Sequence, residues 1–146
     1  MSHADPNSEA RVRASFAKQQ FMATLGASLT LVQPGEVCIE LPFRADLTQQ
    51  HGFLHAGVVT SVIDSACGYA ALTLMPPDRA VLSVEFKVNL LVPAQGPAFL
   101  ARGRVVRAGR TLTVCTGELR VVGSELVVAM MQATMMAVEG RTRSND

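Results

Sequence analysis

From Leu82 to Val92 the chain alternates apolar and polar residues almost without fault. Leu82, Val84, Phe86, Val88, Leu90 and Val92 fall on one side. Ser83, Glu85, Lys87 and Asn89 fall on the other, until Leu91 interrupts. A period of two over this length predicts a strand with one buried face. Three more runs of strand character follow, over 98–107, 111–122 and 125–138, separated by Gly- or Ser-containing turns. In the Ala108-Gly109-Arg110 reversal, Gly109 is expected at positive φ. Upstream, 27–32 and 36–43 read as a hairpin around Pro34-Gly35.

The strongest helix signal lies between these groups of strands. From Gly57 to about Met75, Val58, Val62, Ala66 and Ala70 recur at a spacing of four, and Pro76-Pro77 ends the run. Ala66, Gly68, Ala70 and Ala71 are small enough to admit another backbone at close range. A weaker helix begins near Ser8, read as its cap, and runs to Phe21 before Gly26. The order of helix, two strands, long helix and four strands predicts an α+β domain. One long helix covers one sheet face. The other face, with Leu119, Val121, Val127 and Ala129, is expected to need a second cover. In 146 residues that are 49% hydrophobic and 17% charged, that cover would be a second subunit. We divide the chain into an N-terminal tail and helix (1–24), a single domain (25–138) and a polar tail (139–146).

A net charge of +1 argues against a nucleic-acid or membrane partner. No 18-residue apolar run exists, and the N-terminus is not an apolar signal segment, so a cytoplasmic location is expected. Cys38, Cys67 and Cys115 are odd in number and widely spaced, and read as buried thiols in a reducing compartment. His3, His51 and His55 lack a fourth-ligand pattern, so no metal is expected.

The segment His51-Gly52-Phe53-Leu54-His55-Ala56-Gly57 leads into the long helix. A helix start carries unpaired N–H groups and the positive end of the dipole. Ala56 and Gly57 leave those donors uncovered, as stabilising an oxyanion in acyl transfer requires. Asp64 lies two turns on, in an apolar helix where a lone carboxylate must be exposed, paired or functional. It has the chemistry of a nucleophile or of a base that orients water. Between Glu85 and Glu118 no acid interrupts Lys87, Arg102, Arg104, Arg107 and Arg110. That basic interval suits a small phosphorylated ligand, or else charges guarding a sheet edge.

His55-Ala56-Gly57, an aliphatic stretch, and Asp64 nine residues after the histidine resemble the PaaI-like branch of the hotdog-fold acyl-CoA thioesterases. The phrases QQHGFLHAGVVTSVIDSACGYAA, LSVEFKVNLLVPA and GRVVRAGRT extend that resemblance over about residues 25–138. The family more often has His-Gly-Gly where Ala56 stands here, and Asn where this chain has Gln49. The resemblance implies a hotdog fold, a long central helix wrapped by a curled antiparallel sheet of about six strands. It implies a homodimer with shared active sites, commonly a dimer of dimers, acting on acyl-CoA. Asp64 would attack the thioester or activate water, and the N–H of Ala56, helped by Gly57, would polarise the carbonyl. Gln49 and His55 would position carbonyl or water, and Ser83 would approach from the partner subunit. Lys87 and the Arg107-to-Arg110 turn, with Gly109 within it, would meet the phosphates of CoA. CoA is then part of the substrate, and no separate cofactor is implied. Leu54, Val58, Ile63 and Tyr69 are candidates for the acyl pocket. The alternative is a non-catalytic protein of the same fold that binds acyl-CoA or another small ligand.

Overall fold

The computed structural model describes residues 5–140. Two helices, α1 (Ser8–Lys18) and α2 (Gln20–Leu25), precede the strands β1 (Ser28–Gln33) and β2 (Glu36–Pro42). After a short 3-10 turn (Ala45–Leu47) come α3 (Ala56–Leu72), β3 (Arg79–Leu90), β4 (Ala98–Ala108), β5 (Leu112–Val121) and β6 (Val127–Glu139). The six strands form one antiparallel sheet in the order β1-β2-β4-β5-β6-β3.

The expected helix and six strands are present, but the expected wrapping is not. The sheet is open, neither closed nor strongly curled, and β1 and β3 are its two unpaired edges. Helix α3 lies across one face. Its closest approach is to the centre of the sheet, where Gly103 of β4 and Gly117 of β5 are directly paired. A Cβ on Gly103 would overlap the α3 backbone at Ala66 and Cys67, and one on Gly117 would overlap the Ile63 and Cys67 side chains. Helix and sheet thus meet at small residues on both sides. On β3, Phe86 and Leu90 share the helix-facing side with Ala133 and Ala129, yet remain 43% and 51% exposed. A curled sheet would bury them.

Three further expectations change. Leu119 and Ala129 are fully buried on the helix side of the sheet, within the core. The opposite face instead carries charge. Glu36 Oε1 lies 3.1 Å from Arg102 Nε and 3.2 Å from Arg104 Nε, and Arg120 pairs with Glu118 at 2.9 Å. The apolar surface that lacks cover runs along the β3 edge, through Leu82, Val84, Phe86, Leu90 and Leu91. Gly109 has no positive φ. Its N–H donates to the Leu112 carbonyl at 2.8 Å, and a Cβ would collide with that oxygen, so the turn needs glycine for space.

At the N-terminus, Asn7 occupies the cap position and Ser8 begins the helix. The helix then breaks at Gln19, whose backbone is extended (φ −80°, ψ 96°). Val12, Met22 and Leu25 enter the common core. Arg11 donates to the carbonyls of Leu72, Met75 and Pro76 at 2.6, 2.8 and 2.6 Å, tying α1 to the segment that follows α3.

Candidate active site

The start of α3 is set by His55, the N-cap residue, whose Nδ1 accepts a hydrogen bond from the Gly57 N–H at 2.8 Å. That bond fixes the imidazole with its proton on Nε2, a donor. It also consumes the Gly57 N–H. The Ala56 N–H has no acceptor among the described residues and is exposed beside a cleft of about 420 Å³. Of the two donors expected from sequence, only that of Ala56 is free for an oxyanion.

The loop before α3 is tightly held. His55 N–H donates to Leu47 O at 3.0 Å, Leu54 N–H to Ala94 O at 3.1 Å, and Gln49 N–H to Phe53 O at 2.9 Å. Gln49 Oε1 accepts from the N–H groups of His51 and Phe53 at 2.6 and 3.3 Å. With its oxygen so engaged, the Gln49 amide offers its Nε2 donor. Gln49 and Ala56 line the same cleft, with Leu54, Leu90, Leu91 and Val128 among its apolar walls. His55, Gly57 and Val58 open instead on a neighbouring groove of about 470 Å³.

Asp64 and Ser83 occupy a third cavity, of about 180 Å³. Ser83 Oγ donates to Asp64 Oδ1 at 2.7 Å within one chain, where the resemblance implied an approach from the partner subunit. The cause is a bulge in β3. Ser83 pairs with Met135, but Glu85 pairs with Thr134, so Val84 is an extra residue. Before the bulge Ser83 points to the helix. After it Glu85 and Lys87 point away, so the single face assigned to all three from the alternation is wrong. Bulges re-aim side chains in this way near active sites.

The Cys67 thiol, one turn from Asp64, is unsuited to nucleophilic work. Burial above all, then the neighbouring Cys115 and Asp64, pushes it far above the usual thiol range. Burial likewise pushes Cys115 up to about 12. Ile63 is fully buried in the core and lines none of these cavities, while Tyr69 lines that of Asp64.

Arg107, Gly109 and Arg110 are exposed at the β4–β5 turn. Ala108, Thr113, Met135 and Ser83 form one row across the sheet, so this turn shares the sheet end that holds Ser83. Lys87 lies in another row, across from Gln132, Thr116 and Arg104, on the charged face. Arg102 and Arg104 are paired with Glu36. His3 lies outside the described residues, and among those described no helix is long and apolar enough to cross a membrane. The sequence missed Ser15, Gln19 and Ser65, which share the Asp64 cavity. The only signal was the polar pair Gln19-Gln20 interrupting a helical stripe.

One helix laid over an open antiparallel sheet, its first turn left bare beside a cleft, is the hotdog arrangement. Comparison with known proteins gives the family. Residues 51–128 match the model of the thioesterase superfamily. A solved thioesterase family protein from Silicibacter pomeroyi is 53% identical, with a TM-score of 0.88 over 91% of this chain and 99% of that one. The PaaI protein of the E. coli phenylacetic acid degradation operon shares the fold at 17% identity, with a TM-score of 0.85 over 94% of this chain and 98% of its own. A Saccharolobus solfataricus protein named as an esterase is 32% identical over 101 residues, 69% of this chain and 71% of that protein. The chain belongs to the thioesterase superfamily and is a thioester hydrolase of the hotdog fold.

Proposed function

We propose that the protein hydrolyses acyl-CoA thioesters to free acid and CoA, at sites shared between two copies of the chain. Asp64 is the base or nucleophile. The Ala56 N–H polarises the thioester carbonyl, with Gln49 Nε2 as a further donor in the same cleft, and His55 and Gly57 contribute by setting the helix start through their mutual hydrogen bond. Ser83 steadies the Asp64 carboxylate.

The observation that carries this reading is the spacing along α3. Ala56 and Asp64 are eight residues apart on one helix, about 12 Å along its axis. A thioester carbon and its oxygen are adjacent atoms, so one chain cannot serve both with these groups. A second copy, related by a two-fold axis, can set its Ala56 against the first copy's Asp64. The uncovered apolar edge of β3 supports the copies joining there. Dimers of such dimers follow from the family resemblance. The exposed Arg107 and Arg110, around the Gly109 turn, and Lys87 are assigned to the CoA phosphates. Three buried free cysteines fit work in the reducing cytoplasm.

In the direct route Asp64 takes a proton from water as the water oxygen bonds to the thioester carbon. The carbon–sulfur bond then breaks, and the CoA thiolate is protonated. In the covalent route an Asp64 oxygen bonds to that carbon, the carbon–sulfur bond breaks and CoA leaves, and water attacks the Asp64 carboxyl carbon to cleave the anhydride. Single turnover in oxygen-18 water labels Asp64 only in the second. A panel of short, medium and aryl acyl-CoAs, run beside Asp64→Asn, tests the whole reading. The expected loss is at least about 100-fold for the variant. Equal, negligible rates for both proteins, with CoA still bound, would make this a binding protein.

A further inference from the structure

Helix α1 ends in a break that serves the Asp64 cavity. The extended backbone at Gln19 directs its side chain onto α3. There Gln19 Nε2 donates to Ser65 Oγ at 3.2 Å, and Tyr69 OH donates to Gln19 Oε1 at 3.1 Å. Ser15 Oγ lies 3.3 Å from the Tyr69 oxygen. These four residues lie with Asp64 around the cavity of about 180 Å³. Apart from Ser83, only Gly68 and Val81 complete the lining.

We propose that this cavity receives the far end of the acyl group and selects short acyl chains that carry a hydroxyl, with Gln19 and Tyr69 as the specificity-determining residues. The proposal rests on Asp64 being the group that works on the thioester, as argued above. A pocket lined by that carboxylate adjoins the thioester carbon on which it works. Size sets the first limit. The cavity has less than half the volume of the Ala56 cleft, which favours short acyl groups over long hydrocarbon chains. Chemistry sets the second. An aliphatic tail would strip water from several polar groups without replacing their partners. The internal bonds are long for their types, and the Gln19 amide keeps a second N–H and a second lone pair to spare. The Tyr69 hydroxyl, which donates to Gln19 and accepts from Ser15, holds that amide in place. Burial raises the Tyr69 phenol, with the Ser15 hydroxyl pulling it back in part, so it stays protonated at neutral pH. An incoming hydroxyl can both give and take a hydrogen bond here. The apolar cleft at Gln49 and Ala56 offers no such set.

The test uses non-hydrolysable thioether analogues of butyryl-CoA, β-hydroxybutyryl-CoA and γ-hydroxybutyryl-CoA, titrated by calorimetry into the full-length protein, Gln19→Leu and Tyr69→Phe. Wild type is expected to bind one hydroxylated analogue about tenfold more tightly than butyryl, the value of one hydrogen bond. In both variants that ratio should fall toward one, and Gln19→Asn should restore part of it in the Leu variant's place. A wild-type ratio near one, or a ratio preserved in both variants, overturns the proposal. Equal weakening of all three analogues would mark Gln19 as a structural group and also overturns it. Because binding is read without turnover, a failure of hydrolysis on the matched thioesters counts against Asp64 catalysis alone.

Discussion

Ser83 is the residue whose role depends most on a single backbone irregularity. Its hydroxyl hydrogen-bonds the Asp64 carboxylate at 2.7 Å because the bulge at Val84 turns it toward α3. Removing a hydrogen bond to a charged group costs about 1.5 kcal/mol, so Ser83→Ala should lower kcat about tenfold in a steady-state assay. An unchanged kcat would make the contact incidental. The candidates Asp64, His55 and Ala56 stood out in the sequence because a bare helix start and a lone carboxylate in an apolar helix are local signals, whereas Gln49 entered through the family resemblance. Ser83 meets Asp64 within its own chain, where the resemblance implied an approach from the partner subunit. A bulge has no composition signature, and its effect on facing appears only once β3 is paired with β6. Gln19 was illegible for a similar reason, since its neighbours come from α3, nearly 50 positions away.

At the level of elements, the packing of α3 on β4 and β5 rests on two glycines. Gly103 and Gly117 oppose each other across the ladder, and both lie against the Ile63–Cys67 stretch of α3. Gly103→Ala should therefore cost about 1–3 kcal/mol in urea unfolding, as overpacking does, although alanine is otherwise harmless in a strand. A midpoint equal to wild type would contradict the close approach. The small residues of α3 announced this packing, but not which strands would receive them. On the other sheet face, burial pushes the Glu36 carboxyl up. Hydrogen bonds from Gln33 and Arg104, with the charges of Arg104 and Arg102, outweigh that and leave it below the ordinary range. A lowered folded-state value stabilises the protein above the unfolded value of about 4.3, and that stability is lost as pH falls through the folded value. The melting-temperature gap between wild type and Glu36→Gln should be widest above about pH 5 and close in acid. A gap independent of pH would remove the ion cluster from the stability account.

For the whole molecule, the hydrophobic excess has moved from a sheet face to a sheet edge. The face once expected to be apolar carries Arg102, Arg104, Glu118 and Arg120, while Leu82, Val84, Phe86 and Leu90 line β3. Periodicity gave the count and order of strands. It misassigned the covered face because nothing local tells which side of an alternating strand the one helix will take. The charge-poor composition still points to a second copy, and the separation of about 12 Å between Ala56 and Asp64 along α3 calls for one. The most direct test joins two inactive variants. Asp64→Asn removes the carboxylate. Ala56→Pro removes only the backbone donor, since proline suits the first helical position and His55 already has the extended backbone (φ −60°, ψ 138°) that must precede it. Each variant alone should be nearly inactive. Co-refolded in equal amounts, half the dimers are mixed, and each mixed dimer holds one intact site and one doubly damaged site. Activity should return to about a quarter of wild type if sites are shared between copies. A mixture no more active than its parents, with mixed dimers demonstrated by mass, would contradict the shared site.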